Sequence, residues 1–136
     1  MVYSVSELEI PKIQELIITV FGNPVENDPF VSYLKYVDSE NEIQGILSYS
    51  IIYERMEINY IYVEKNVRRK GIAQSLIDFL IKIACEKNIQ NISLEVSKDN
   101  EAAILLYQKM GFQDKAIRPN YYQGIDGILM VKEMIK

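Results

Sequence analysis

The chain has 136 residues, of which 49% are hydrophobic and 25% charged, and its formal net charge is -4. This length suits a single domain over residues 1–136, and the acidic balance argues against nucleic acid as a partner, because phosphate contacts need basic surfaces. The absence of histidine removes Ser-His-Asp and Cys-His catalysis and makes a zinc site improbable, so we expect no metal.

The cellular location is predicted from what the chain lacks. No apolar run approaches the ~20 residues of a membrane span, and residues 1–7 lack the basic and apolar regions of an export signal. The single cysteine, Cys85, fits a reducing compartment. We therefore expect a cytoplasmic protein with no membrane partner, in which Cys85 is a small buried residue rather than a nucleophile.

The first half of the chain reads as short strands mixed with short helices. Helices are expected to begin at Pro11 and at the Asp28-Pro29 pair, where proline suits a first helical turn. Runs of β-branched and aromatic residues on either side of Glu54-Arg55 indicate a hairpin. The resulting prediction is strands at 2–6, 43–53 and 56–63, and helices at 11–20 and 28–36.

The second half contains the clearest helix of the chain. Apolar residues recur at helical spacing after Gly71, and residues 91–97 then alternate as a strand with one mixed face. Asp99 and Asn100 are expected to cap a helix to Lys109, followed by strands at 112–117 and 127–134. The order of elements predicts an α/β or α+β sheet domain.

A basic turn lies between residues 61–63 and the clearest helix. Arg68, Arg69 and Lys70 precede Gly71, which lets the backbone approach a ligand closely, and Ala73 adds little bulk. Free N–H groups and the dipole of a helix start attract anions. The turn therefore predicts a site for a phosphate-bearing ligand, although a solvated helix cap would show the same residues.

Six motifs follow one another from Ile61 to Val131. They are Ile61-Tyr62-Val63, Arg68-x-x-Gly71-x-Ala73, Leu94-Glu95-Val96, Asn100-x-Ala102-Ala103-x-x-Leu106-Tyr107, Gly111-Phe112 and Arg118-x-Asn120-Tyr121-Tyr122. In order and spacing this half of the chain resembles the GNAT N-acetyltransferase superfamily, most closely its RimI-type branch. The resemblance implies a single-domain GNAT fold, with a mixed, twisted central sheet of about six to seven strands flanked by about four helices. Such a sheet splays between its fourth and fifth strands to admit a cofactor.

The resemblance implies that the ligand is acetyl-coenzyme A and that its acetyl group moves to an amine. The pyrophosphate is expected on the N–H groups of residues 69–74, and the pantetheine arm beside the backbone of Ile61 and Val63. Asn100 suits either a helix cap or a cofactor contact. The predicted cofactor-binding residues are Ile61, Tyr62, Val63, Arg68, Arg69, Lys70, Gly71, Ile72, Ala73, Gln74 and Asn100.

The predicted catalytic residues are Glu95 as general base and Tyr107 as general acid, which match the RimI-type positions. Glu57 is a rival base, because its position resembles the catalytic glutamate of the lysine-acetylating branch. Tyr121 and Tyr122 are expected to bind the acceptor, although hairpin packing explains them equally well.

The acceptor is expected to be a protein or peptide N-terminal α-amine, which loses its proton more easily than lysine. The alternatives are a small-molecule amine or a lysine side chain with Glu57 as base, and a non-catalytic acyl-coenzyme A sensor. The presence of both Glu95 and Tyr107 argues against the sensor. The open sheet edges of this fold are compatible with a homodimer.

Overall fold

The computed structural model describes residues 1–19, 22, 30–68 and 70–134 of the chain. Within them, seven strands form one mixed sheet and three α-helices pack on it. The strands are β1 (Val2–Ser4), β2 (Val31–Val37), β3 (Ile43–Ile52), β4 (Arg55–Val63), β5 (Asn91–Ser97), β6 (Gln113–Tyr122) and β7 (Ile125–Glu133). The helices are α1 (Ile10–Thr19), α2 (Ile72–Glu86) and α3 (Glu101–Lys109), with single 3-10 turns at Glu7–Glu9 and Lys65–Val67.

The order of strands in the sheet is β1-β2-β3-β4-β5-β7-β6, which confirms the predicted α/β class and strand number. All neighbouring strands are antiparallel except β4 and β5, which are parallel and are joined through α2. A parallel pair needs such a crossover, and here the crossover helix covers one face of the sheet.

Two apolar cores lie on opposite faces of the sheet. The larger core joins the sheet to α2 and α3, and its fully buried members include Leu47, Leu76 and Ile92. The smaller core joins α1 to the other face through Ile13 and Ile17, which pack against Tyr33 and Ile46. The central strands are therefore buried on both sides.

The helix predicted at 28–36 is wrong, because residues 31–37 form strand β2. Residues 28 and 29 lie outside the described residues. Tyr33 packs in the core beneath α1, and its neighbour Leu34 packs in the core beneath α2. A strand buried on both faces loses the alternation of apolar and polar residues that marks a half-exposed strand, so its apolar positions also fit a helical spacing. The described chain accordingly has three α-helices rather than about four.

Cys85 is exposed, so its predicted burial is also wrong. The buried residues of α2 include Leu80 and Ala84, and a helix turns by about 100° per residue. Cys85 therefore faces away from the core that Ala84 enters.

The other elements keep the predicted order, with shifted ends. Strand β6 extends to Tyr122 instead of residue 117, and β7 begins at Ile125 instead of residue 127. Among the described residues, no helix combines the length and apolar character that crossing a membrane requires.

Candidate active site

A gap opens in the middle of the sheet, where β4 and β5 separate. Their pairing stops at Glu57 and Ser93, while β4 continues to Val63 and β5 to Ser97. The gap continues into a cleft of about 1040 Å³ on the side of α2 and α3. The cleft is lined by Ile61, Tyr62, Val63, Glu64, Lys65, Asn66, Arg68, Gly71, Ile72, Ala73, Gln74, Asn100, Ala102, Ala103, Leu106 and Tyr107.

Most of the residues predicted to bind the cofactor lie in this cleft. Nine of them line it: Ile61, Tyr62, Val63, Arg68, Gly71, Ile72, Ala73, Gln74 and Asn100. Lys70 is exposed and is not part of the lining, and Arg69 lies outside the described residues. The sequence prediction assigned no site role to six further lining residues: Glu64, Lys65 and Asn66, which directly follow β4, and Ala102, Ala103 and Leu106 on α3.

The start of α2 offers backbone donors to the cleft. Gly71 precedes the helix with φ of 77° and provides no side-chain cap. The first helical hydrogen bond runs from the Ser75 N–H to the Gly71 carbonyl, so the N–H groups of residues 72–74 have no partner within the helix. No acidic residue lies in the first turn to offset the positive end of the helix dipole. An anion is favoured at this point.

The end of β4 turns its backbone toward the gap. The Glu64 N–H donates to the Gln44 carbonyl on β3 at 2.8 Å, and backbone groups of successive strand residues point in opposite directions. The N–H and C=O of Val63 therefore point away from β3. Arg68 Nε donates to the Val63 carbonyl at 3.3 Å, which links the basic turn to the end of the strand.

Asn100 caps α3 at the opposite wall of the cleft. Its Oδ1 accepts a hydrogen bond of 3.3 Å from the Ala103 N–H. Lys109 Nζ on the last turn of α3 donates to Gln74 Oε1 on α2 at 3.4 Å, so the two helices that flank the cleft are also joined by side chains.

Tyr107 is a half-buried phenol in the lining of the cleft. Its ring meets Phe112 edge-on, with the ring centroids 5.9 Å apart, and Phe112 is almost fully buried. Burial raises the pKa of the Tyr107 hydroxyl, and the nearby Tyr122 raises it further. The hydroxyl therefore stays protonated at neutral pH and is suited to donate a proton.

Glu95 lies on the opposite face of β5 from Leu94 and Val96, which enter the core beneath α2. Its side chain is 16% exposed, and Oε1 lies 2.9 Å from Arg118 Nε on β6. Its Oε2 is buried and accepts no hydrogen bond from the residues that the structure describes. The lone pairs of this oxygen are therefore not used by any group that the structure describes.

Tyr122 lies within electrostatic reach of both Glu95 and Tyr107. Burial raises the pKa of the Tyr122 hydroxyl, and the charge of Glu95 adds to the shift. The Tyr121 and Tyr122 rings meet edge-on at 4.9 Å. A Cβ at Gly127 on β7 would come within 3.1 Å of Tyr121 and 3.2 Å of Tyr122, so the glycine makes room for the pair. Glu95, Tyr121 and Tyr122 do not line the cofactor-side cleft.

Glu57 is the exposed residue at which the β4–β5 pairing ends, opposite Ser93. It lies outside the lining of the cleft. Because Ser93 is two residues before Glu95 on β5, Glu57 and Glu95 extend from the same face of the sheet.

The family of the chain follows from the cleft and its lining, together with a comparison to known protein families. The acetyltransferase (GNAT) family matches residues 6–112, which is most of the chain. The chain belongs to the GNAT acetyltransferase family. The resemblance predicted from the motifs is confirmed, and GNAT acetyltransferases use acetyl-coenzyme A.

Relatives of this GNAT acetyltransferase point to its RimI-type branch. The chain is 29% identical over 96 residues to the ribosomal protein bS18-alanine N-acetyltransferase of Escherichia coli, a match that covers 70% of this chain and 65% of that relative, just under two thirds. It is 28% identical over 110 residues to the protein of the same name from Salmonella typhimurium, covering 80% and 71% respectively.

Solved structures share the GNAT fold. The ribosomal-protein-S18-alanine N-acetyltransferase from E. coli superposes with a TM-score of 0.85 at 20% identity, over 100% of this chain and 96% of that one. Arabidopsis thaliana NAA60 in complex with acetyl-coenzyme A superposes with a TM-score of 0.80 at 19% identity, over 98% of each chain.

A tyrosine stack that the sequence prediction missed lies beside the gap of this acetyltransferase. An extra residue, Asn59, interrupts the β3–β4 register, so Tyr60 and Tyr62 face α1 instead of α2. Their rings stack at 4.5 Å, and burial together with Tyr33 raises the pKa of Tyr60. Asn59 Nδ2 donates to the hydroxyls of two β3 serines, at 3.2 and 3.1 Å, and so holds the bulge. Among the described residues, no cluster of three or more His, Cys, Asp or Glu could hold a metal ion.

Proposed function

We propose that this protein transfers the acetyl group of acetyl-coenzyme A directly to the α-amine of a protein or peptide. The observation that carries the proposal is the relation of Tyr107, in the cleft, to Glu95, on the other face of the sheet. Tyr122, at the end of β6, is close enough to both residues for electrostatic coupling: the charge of Glu95 raises the pKa of Tyr122, and Tyr122 raises that of Tyr107. An amine bound beside Glu95 would therefore meet a thioester that enters from the side of Tyr107.

The residues of the cleft suit an acyl-coenzyme A. The uncapped start of α2 supports binding of the pyrophosphate, with Arg68 beside it. The Val63 N–H, turned away from β3, is a donor for the amide-rich pantetheine arm or for the thioester carbonyl oxygen. The proposed contacts are those of Ile61, Tyr62, Val63, Arg68, Gly71, Ile72, Ala73, Gln74 and Asn100, with Arg69 and Lys70 contributing positive charge.

The proposed chemistry uses two side chains. Glu95 Oε2, directly or through a water molecule, accepts the proton that the acceptor amine loses as its nitrogen attacks the carbonyl carbon. The Val63 N–H stabilises the negative charge that develops on the carbonyl oxygen. The carbon–sulfur bond then breaks, and the Tyr107 hydroxyl gives its proton to the departing sulfur.

The α-amine is favoured over a lysine side chain because of its proton affinity. An α-amine has a pKa near 8 and lysine near 10.4, so deprotonation of lysine costs roughly 3 kcal/mol more. The α-amine therefore makes the smaller demand on a base such as Glu95. The names of the RimI-type relatives also refer to N-acetylation of an alanine in ribosomal protein bS18, which supports a protein acceptor.

The test is acetylation of a peptide array with mass-spectrometric location of the acetyl group, run beside a panel of polyamines, amino acids and aminoglycosides. We expect the acetyl group on peptide α-amines, with release of one thiol per acetyl transferred. Acetylation of lysine side chains or small amines alone would overturn the proposed acceptor. Cofactor binding with no thiol release from any acceptor would indicate a sensor instead of an enzyme.

The identity of the base is tested by comparing Glu95→Gln with Glu57→Gln. We expect Glu95→Gln to lower kcat by at least about a hundredfold, which is the lower range for loss of a general base. Glu57→Gln is expected to retain activity, because its side chain lies at the paired end of the strands. The reverse result would make Glu57 the base and favour a lysine or small-amine acceptor.

A further inference from the structure

Arg118 has no role in the reaction described so far, although it makes the one ion pair that reaches Glu95 among the described residues. Its Nε lies 2.9 Å from Glu95 Oε1, while Glu95 Oε2 is buried and accepts no hydrogen bond from the described residues. The two oxygens of the carboxylate therefore differ: one is held and the other is free.

The position of Arg118 is itself determined by the β6–β7 hairpin. Its Cζ lies 5.2 Å from the centroid of the Tyr121 ring, a cation–π contact. The register between the strands shifts after Arg118, and Asn120, with φ of 57°, donates its N–H to Asp126 Oδ1 at 3.1 Å. This bulge brings Tyr121 over the guanidinium while the strand continues.

The ion pair is poorly placed to stabilise the fold. The Arg118 side chain is 56% exposed, and ion pairs that are open to solvent contribute little to folding. Its geometry, however, leaves only limited freedom to the Glu95 carboxylate, because Oε1 is held from β6 and Cβ is fixed on β5. Orientation of the carboxylate is therefore the larger effect of the contact.

We propose that Arg118 is a positioning residue, which holds Glu95 Oε1 so that Oε2 faces the acceptor nitrogen. This inference rests on the proposed function, in which Glu95 accepts the proton of the amine. Arg118 itself touches neither the acetyl group nor the reacting nitrogen. Its contribution should appear in kcat for the acceptor and should vanish when Glu95 can no longer accept a proton.

The test is a double-mutant cycle with Arg118→Gln, Glu95→Gln and the double variant, assayed with the peptide acceptor found above. We expect Arg118→Gln to lower kcat about tenfold through loss of the ion pair with Glu95, with KM for acetyl-coenzyme A unchanged. The double variant should be no slower than Glu95→Gln alone. Arg118→Lys, which keeps the charge, should restore part of the loss, and Lys115→Gln, an exposed cation on the same strand, should leave the rate unchanged.

The outcomes separate this inference from the proposed function. Losses that multiply in the double variant would overturn the inference, because Arg118 would then act independently of Glu95, and the base would stand. Wild-type kcat in Glu95→Gln would overturn both. Thermal unfolding of each variant identifies a loss of folded protein, and a fall in kcat that follows the folded fraction would also overturn the positioning role.

Discussion

Gly45 on β3 lies directly beneath Ile72, the first residue of α2. A Cβ at position 45 would be 2.9 Å from Ile72 Cγ2 and 3.2 Å from Leu76 Cδ1, closer than side chains normally approach. The absent side chain thus lets the start of α2 rest on the sheet beside the end of β4. The distance between the start of α2 and the open edge of β4 depends on this contact.

Substitution of Gly45 by alanine is therefore expected to affect both stability and cofactor binding. Overpacking a tight core costs about 1–3 kcal/mol, and displacement of the first turn of α2 should weaken acetyl-coenzyme A binding. Urea unfolding and calorimetric titration measure the two effects. Ile72→Leu removes the Cγ2 methyl group at similar volume, so Gly45→Ala combined with Ile72→Leu should recover stability. If the two changes are simply additive, the contact does not set the position of the helix.

The turn at Gly71 is tested by two substitutions that both place a side chain at a positive φ, one neutral and one charged. A Cβ at position 71 would meet no atom within 4 Å, so there is space for a side chain. The φ of 77° nevertheless disfavours every residue except glycine, and asparagine is the best tolerated of the others. We expect Gly71→Asn to bind acetyl-coenzyme A nearly as well as the wild type. Gly71→Glu places a negative charge beside the pyrophosphate and should weaken binding at least about tenfold more. Equal affinities would remove the turn from the cofactor site.

The family was predictable because its signal lies in short, contiguous motifs. Two such motifs contain Gly71 with Ala73 and Asn100 with Tyr107. Within each motif, the number of residues between two positions also determines their distance in the folded protein. Strand β2 was not predictable in this way, since Tyr33 and Leu34 enter different cores and produce a helix-like pattern. Local sequence does not record that both faces of a strand are covered.

Contacts between distant parts of the chain were also missed. The pairing of Arg118 with Glu95 joins β6 to β5, which are not adjacent in the sheet, across the intervening β7. The turn of Tyr60 toward α1 depends on one extra residue in β4 that only the register with β3 reveals. Both effects follow from tertiary structure, whereas the residues themselves look like ordinary strand positions.

Tyr107→Phe is expected to slow thiol release while cofactor affinity persists, because only the hydroxyl is removed and the ring still packs on Phe112. The raised pKa of Tyr107 keeps its hydroxyl protonated at higher pH than that of a free tyrosine. An acid must be protonated to act, so activity that depends on this hydroxyl should be retained up to pH about 10, the ordinary value for tyrosine, and fall above it. Pre-steady-state measurement of thiol release between pH 7 and 10.5 checks both points. A wild-type rate in Tyr107→Phe would assign the proton to another donor.

The stability of the fold is expected to fall at alkaline pH. Burial raises the pKa of the phenols of Tyr49, Tyr60, Tyr62, Tyr107 and Tyr122. The folded protein therefore holds these protons more tightly than the unfolded chain does. Their contribution is complete below pH about 10, the unfolded value, and is lost as the pH rises through the higher folded values. Urea unfolding midpoints from pH 8 to 11 measure this loss, and Tyr60→Phe should make the decline shallower; an unchanged slope would mean that this phenol does not contribute.

Gly127→Ala tests the proposed acceptor side of the gap, because Gly127 does not line the cleft that is proposed to bind the cofactor. The new Cβ would lie too close to Tyr121 and Tyr122, because both side chains pack directly against this glycine. The β6–β7 hairpin must therefore shift. We expect KM for the peptide acceptor to rise several-fold, which corresponds to a loss of about 1–2 kcal/mol in acceptor binding free energy. The affinity for acetyl-coenzyme A should be unchanged. Ile117→Ala, an exposed substitution on the same hairpin, serves as the matched control and should change neither constant. A parallel loss of cofactor affinity in Gly127→Ala would show that the hairpin supports the whole site rather than the acceptor half.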